Sequence, residues 1–138
     1  MDGLIIHTDE QGSDAWLQAR RGVITGSRFR DCRDKLKNGT PSKKLTGYAM
    51  DVAREREGGE PMAVYVNSAM RLGSEEEPEA RSTYEMRTKN LVDEAGFITT
   101  ADRLFGVSVD GLVGNDGIIE VKTMVSSDTL FTAFVDGD

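Results

Sequence analysis

The residues best suited to chemistry stand in two short stretches, Ser108-Val109-Asp110-Gly111-Leu112 and Ile118-Ile119-Glu120-Val121-Lys122. Between them lies Gly114-Asn115-Asp116-Gly117, a hairpin-turn signature. In a strand, alternate side chains share a face, so Glu120 and Lys122 project together while Ile119 and Val121 turn inward. If the loop is Gly114-Asn115-Asp116, Val113 pairs with Gly117 and Asp110 pairs with Glu120. Directly opposed residues of an antiparallel pair point the same way. A loop with an even residue count would put Asp110 on the other face, so the chemistry demands an odd-length loop or a bulge. In the odd register two carboxylates and an ammonium meet at a strand edge. Carboxylate oxygens are hard ligands suited to Mg²⁺, and the carbonyl of Val121 would add another oxygen. Such an ion acidifies a bound water and neutralises a phosphate. Lys122 would orient or deprotonate that water and offset charge on the phosphoryl oxygens. The same trio also makes an ordinary surface ion pair, and alone the pattern is common.

The elements that must position these groups follow from caps and periodicity. Ser13 or Asp14 caps a short helix over Asp14–Arg20 that carries Trp16, and Gly22 breaks it. Trp16 reads as a core anchor. Thr25-Gly26-Ser27 opens a basic helix from Ser27 to about Leu36, followed by a loop at Asn38–Pro41. A further helix runs from Lys43 to Glu57, with Leu45, Tyr48, Met50, Val52 and Ala53 as its apolar positions, and Gly58-Gly59-Glu60-Pro61 ends it. A long helix covers Ser68–Thr88, with a kink or boundary to be watched at Pro78, since an interior proline costs about 3 kcal/mol. Strands are predicted over Leu91–Ile98, Leu104–Val113 and Gly117–Val125. A tail helix over Ser127–Phe134 would be capped by Ser127 or Asp128. Helices flanking a small antiparallel-rich sheet make an α/β core.

With 38% apolar and 30% charged residues over 138 positions, the chain has the make-up of one globular domain rather than a disordered or membrane protein. The N-terminus shows no secretory signal. One cysteine, Cys32, excludes an intrachain disulfide and a cysteine-cluster zinc site and suits a reducing setting. The single histidine, His7, lies far from every motif, which argues against a His-rich metal site or a Ser-His-Asp triad. No phosphate-binding Gly-x4-Gly-Lys loop is present. The net charge of −7 is unevenly spread. Arg20 to Lys44 carries nine basic and two acidic residues, a net +7, and the remainder carries −14. That asymmetry points to a polyanion-facing surface on an acidic body.

Four motifs then carry a resemblance. Trp16-Leu17-Gln18-Ala19-Arg20-Arg21-Gly22-Val23-Ile24-Thr25-Gly26-Ser27 resembles the Trp-x3-Arg-x-Gly-x-Ile-Thr-(Ala/Gly)-Ser opening of the YqaJ-type viral recombinases. These are relatives of the lambda-phage exonuclease among the PD-(D/E)xK nucleases. Gly73-Ser74-Glu75-Glu76-Glu77-Pro78-Glu79-Ala80-Arg81 resembles their Gly-x3-Glu-x2-Ala-Arg helix. Ser108-Val109-Asp110-Gly111 resembles their Ser-Pro-Asp-Gly element, with Val109 where proline is usual, and Glu120-Val121-Lys122 resembles their Glu-x-Lys strand. The resemblance implies a restriction-endonuclease-like α/β core, a small mixed sheet with an antiparallel hairpin flanked by helices. It implies that Glu77, Asp110 and Glu120 hold Mg²⁺, or Mn²⁺ in its place, with Lys122 at the water. Arg20, Thr25, Ser27 and Ser108 match positions that hold a 5′-phosphate, which accords with guanidinium forks and helix-start hydroxyls as anion donors.

The expected activity is therefore 5′→3′ exonucleolytic degradation of linear double-stranded DNA for phage-type recombination. The expected setting is the cytoplasm of a bacterial or phage-infected cell. Double-stranded DNA ends are the expected partner, and by resemblance a single-strand annealing protein and a homotrimer, with no membrane. Residues 1–138 read as a single nuclease domain without the C-terminal part usual in the family. Two other readings stand beside this one: a non-catalytic DNA-binding or assembly module, and a metal-dependent endonuclease on the same core.

Overall fold

The computed structural model describes residues 3–124 and 126–136. The chain opens with a strand, β1 (Leu4–His7), then α1 (Asp14–Arg20), a two-residue strand β2 (Ile24–Thr25), a 3₁₀ turn (Gly26–Arg28), α2 (Phe29–Cys32) and α3 (Lys43–Arg56). The long helix α4 (Ser68–Thr88) follows, then β3 (Phe97–Thr100), β4 (Phe105–Val107), β5 (Gly111–Val113), β6 (Gly117–Ile119) and α5 (Ser127–Asp136). Four strands form a mixed sheet in the order β1-β3-β4-β2, with β2 parallel to β4 and the other neighbours antiparallel. The β5–β6 hairpin forms a second, two-stranded antiparallel sheet. The predicted α/β class, with a small mixed sheet, a hairpin and flanking helices, is what the chain adopts.

Local chemistry accounts for the helix starts. The Ser13 hydroxyl accepts the Trp16 N–H, Ser42 accepts that of Lys44, and Asn67 accepts that of Met70. Gly22 ends α1 at φ +68°, a conformation that favours glycine. The long helix spans Ser68–Thr88 as expected and runs through Pro78 without a break. Its last turn is closed by Lys89 in the left-handed region.

Several expectations fail, each for a local reason. The basic helix does not reach Leu36: α2 stops at Cys32 because residues 34–42 fold back on themselves. There Ser42 N–H reaches the Asp34 carbonyl at 3.1 Å, and Leu36 N–H reaches that of Thr40 at 2.8 Å. The segment Leu91–Gly96 is not a strand. Glu85 claims the Val92 N–H at 2.7 Å and the His7 carbonyl claims that of Gly96 at 2.9 Å, leaving only an isolated bridge from Asp93 to Leu112. Leu104–Val113 is two strands, not one, because β4 belongs to the large sheet and β5 to the hairpin. The β6 ladder ends at Ile119, and Val125 lies outside the described residues. The α5 N-terminus is capped by Ser126, whose hydroxyl accepts the Thr129 N–H at 3.4 Å, rather than by Ser127 or Asp128. In α3 the buried face is Tyr48, Val52 and Glu55, while Met50 is 67% exposed. Strands β1 and β2 carried no sequence prediction.

Two buried clusters hold the site in place. Trp16, Ala19, Val23 and Phe97 join α1 to the central strand β3, with Leu17 packed against them. Ala95, Ile98, Val109 and Leu112 join the large sheet to the hairpin. Trp16 is a core anchor, as expected: it is 5% exposed and its indole N–H donates to the Gly96 carbonyl at 3.0 Å. Trp16→Ala is expected to cost about 3–5 kcal/mol, a fall in Tm on the order of 10 °C. Trp16→Phe should cost much less, near the net worth of the lost hydrogen bond, about 1 kcal/mol. Equal losses in thermal denaturation would show that ring burial is not what anchors α1.

Candidate active site

The hairpin register is the odd one. Val113 faces Gly117, Leu112 faces Ile118 and Gly111 faces Ile119, and the paired register stops there, one residue short of Asp110 and Glu120. The loop is Gly114-Asn115-Asp116, entered at Gly114 with φ +61°. Past Gly111 the regular ladder dissolves. The Asp110 N–H donates to the Ile119 carbonyl at 3.2 Å, and Oδ2 of Asp110 accepts the Val121 N–H at 2.5 Å. The Asp110 side chain thus substitutes for a ladder carbonyl and is fixed against the strand that carries Glu120 and Lys122. Those two are exposed, and Ile119 and Val121 half-buried, as the alternation requires. Lys122 Nζ donates to Oε1 of Glu120. That bond, with Asp110 adding to it, holds the ammonium above its ordinary proton affinity, against a smaller opposing effect of burial.

Glu77 comes from α4. It is half-buried, whereas its neighbours Glu75 and Glu76 are exposed, so the fold singles out the residue that the motif singles out. Burial pushes the Glu77 carboxyl up, and the Asp110 charge pushes it further, while Arg81 pulls the other way and Glu94 adds to the rise. Arg81 donates to Glu77 and to the main-chain oxygen of Asp110 at 3.2 Å. A cleft of about 500 Å³ opens here, lined by Glu77, Pro78, Arg81, Glu94, Val109 and Asp110, and faced by Asp9 and Glu10 from the loop after β1.

The four residues assigned to a terminal phosphate also meet. Arg20 Nη1 donates to the Ser108 hydroxyl at 3.3 Å, two residues from Asp110. Its guanidinium lies 4.3 Å above the Trp16 ring and 5.1 Å from that of Phe97. Burial lowers its proton affinity, with Tyr48 and Glu55 acting in the opposite sense. The hydroxyls of Thr25 and Ser27 are 3.2 Å apart. Arg20, Thr25 and Ser27 line a cleft of about 300 Å³ whose other wall is Pro61–Tyr65 and Met70. Arg20 connects this cleft to Ser108, and Val109 and Asp110, the next two residues, line the acidic one.

Sequence reasoning missed three neighbours. The Tyr48 hydroxyl accepts the Thr25 N–H at 2.9 Å, and Arg28 stacks on the Tyr48 ring at 4.1 Å. Glu55, 4% exposed, accepts the Gly22 N–H at 2.6 Å and the Met62 N–H at 2.7 Å, tying the two walls of the smaller cleft together. A signal existed, because Tyr48, Val52 and Glu55 recur at the spacing of one helix face.

Among the described residues no three Asp, Glu, His or Cys side chains are already gathered as a metal cage. The Glu77 carboxylate is turned to Arg81 and that of Glu120 to Lys122. The donor chemistry nonetheless suits a hard divalent cation. The Asp110 charge raises the cost of ionising Glu77, and all the oxygens are carboxylate or carbonyl.

The sign of that cost can be measured. A carboxyl whose folded affinity for its proton is raised contributes stability that is full below its ordinary titration range and is lost as pH rises through the folded value. Glu77→Gln removes the titration. In EDTA, the Tm of Glu77→Gln relative to wild type should therefore be higher at about pH 8 than at about pH 4. A difference that is flat, or that falls with pH, would show that Glu77 is not electrostatically opposed in the fold.

Comparison with known proteins bears on this arrangement. The model of the YqaJ-like viral recombinase domain matches residues 15–135. A crystal structure of an alkaline exonuclease, LHK-Exo from Laribacter hongkongensis, is similar at 31% identity and a TM-score of 0.68. The alignment covers 91% of this chain and 60% of that one. LHK-Exo in complex with dAMP is similar at 32% identity, with the same TM-score and coverage. The present chain thus spans 60% of the length of these solved relatives. No curated protein matches it. The match over residues 15–135 includes all four motifs, and the chain belongs to the YqaJ-like viral recombinase domain family.

Proposed function

We propose that this chain is a Mg²⁺-dependent nuclease that degrades linear double-stranded DNA from its 5′ ends, the resection step of phage-type recombination. The observation that carries the reading is the odd hairpin register. It supports the reading because Asp110 adjoins the paired residues directly, its carboxylate accepting the N–H of Val121, between Glu120 and Lys122, with Glu77 within electrostatic reach of Asp110 and Arg20 bonded to Ser108 two residues earlier. Glu77, Asp110, Glu120 and the Val121 carbonyl would hold the divalent cation, which supplies phosphate neutralisation and an acidified water when bound.

The protein's own groups do the rest. Lys122 is held protonated by Glu120 and Asp110, which favours it as a donor to the developing phosphoryl charge rather than as a base. Arg20, Thr25, Ser27 and Ser108 would grip the terminal phosphate and set the scissile bond at Asp110. Arg20 is prepared for this by its stack on Trp16, which holds the fork still. The +7 stretch from Arg20 to Lys44 begins at this cleft and would track the phosphate backbone.

Asp110→Ala and Lys122→Ala should each lower degradation of linear duplex by about 10²–10³-fold, and EDTA should abolish it. Lys122→Ala should still bind DNA ends. Wild type should degrade 5′-phosphorylated ends faster than hydroxyl ends, and Arg20→Ala should erase that preference. The assay is a time course on linear duplex with one end phosphorylated, beside a closed circle. Nicking of the circle would favour an endonuclease. Salt-sensitive binding without turnover in Mg²⁺ or Mn²⁺ would favour a non-catalytic DNA-binding module.

A further inference from the structure

Arg81 touches both walls of the acidic cleft. One turn after Glu77 on α4, its Nη1 donates both to the Glu77 carboxylate and to the Asp110 main-chain oxygen at 3.2 Å. Its Nη2 donates to Glu94 at 2.7 Å. The Arg81 side chain is only 14% exposed, whereas that of Glu94 is 79% exposed. The guanidinium therefore spans helix, hairpin entrance and the segment before β3, three elements that no regular ladder joins.

We infer that Arg81 is a positioning residue, a built-in counter-ion that seats the Glu77 carboxylate against the Asp110 backbone and does so at the expense of cation affinity. The inference rests on the reading that Glu77 and Asp110 face the scissile phosphate. The physical argument has two parts. A planar fork can bind a carboxylate, a carbonyl and a second carboxylate at once, which a lysine ammonium on a flexible stem cannot hold in fixed geometry. A unit positive charge on Glu77 also competes with a divalent cation for the same oxygen and repels it. Deleting the guanidinium should therefore leave the site more negative and less ordered: cation binding is kept or tightened, and turnover is lost. A residue that merely braces the fold would lose both together. Glu94, mostly in solvent, trims the outer end of the fork and contributes little.

The test uses the full chain as wild type, Arg81→Gln, Arg81→Lys and Glu94→Gln. Two readouts are taken: kcat on linear duplex, and the upward shift of Tm produced by Mn²⁺ titrated without DNA. Arg81→Gln should lower kcat by about 10²-fold, the scale of a misplacement near 1 Å, with a Mn²⁺ midpoint equal to or below that of wild type. Arg81→Lys should recover part of kcat, and Glu94→Gln should stay within about threefold of wild type. A raised Mn²⁺ midpoint in Arg81→Gln, or kcat within about threefold of wild type, overturns the proposal. If Arg81→Gln does not fold, Arg81→Lys carries the same test, with reduced kcat at an unchanged midpoint expected and an unchanged kcat overturning it. The Tm shift needs no turnover. A wild type inactive on DNA would therefore sink the nuclease reading alone, and the order of the Mn²⁺ midpoints would still decide the role of Arg81.

Discussion

The site depends on the number of residues in one turn. With Gly114-Asn115-Asp116 as the loop, Gly111 stands opposite Ile119 and Asp110 comes next, beside the strand that carries Glu120, and one residue more or fewer would shift every pair to the other face. So short a hairpin would be a weak guardian of its own register in water. The outer edge of β5 supplies the missing constraint, because Asp93 and Leu112 exchange both backbone hydrogen bonds, at 2.9 and 2.8 Å. Gly111 completes it. A Cβ there would come within 2.3 Å of Val92 and 3.0 Å of Ile119, so only glycine lets the segment before β3 close over the hairpin. A slip of β6 past β5 would break the turn and the fit of Gly111 against Ile119 together.

The second constraint is where one long run of β-formers is cut. Ser108-Val109-Asp110 lies between β4, which belongs to the large sheet, and β5, which belongs to the hairpin. Val109, 4% exposed, is buried with Ala95, Ile98 and Leu112. Its two neighbours are half-buried and reach partners from opposite sides of the fold. Ser108 meets Arg20 from α1, and Asp110 lies against Glu77 from α4. One buried valine thereby fixes the spacing between the group that would grip a strand end and the group that would act on the next phosphodiester.

What was legible in the sequence follows from the range of the interactions involved. The α4 limits came out correctly because its cap and its composition are local. The hairpin register came out because turn length and a period of two are arithmetic on adjacent residues. The basic helix was overextended because its end is set by residues 34–42 folding back, a contact that no helix propensity contains. β1 went unseen because Leu4–His7 is a strand only by virtue of pairing with β3, far along the chain. Arg81 was visible as a motif letter but not as a bridge, since two of its three acceptors lie outside its own helix. Glu55 was hidden by its type: a glutamate on a buried helix face looks like an error in the pattern until the N–H groups of Gly22 and Met62 are seen to need it.

The placement of charge explains how an acidic chain can serve a polyanion on the proposed reading. The cleft with Glu77, Glu94 and Asp110, faced by Asp9 and Glu10, opposes any phosphate that arrives alone. The cleft with Arg20 and Arg28 attracts one. Arg20 of the basic cleft bonds Ser108, two residues before Asp110 of the acidic one, so on that reading a strand gripped at the basic end would bring its next phosphate toward the acidic one. Entry there is uphill unless Lys122 and a cation accompany it, and the repulsion that raises the Glu77 carboxyl is the same field that would draw that cation in. On that reading an end held on the basic side would be favoured over a phosphate in the middle of a duplex, because its grip would add the attraction needed to offset the acidic wall.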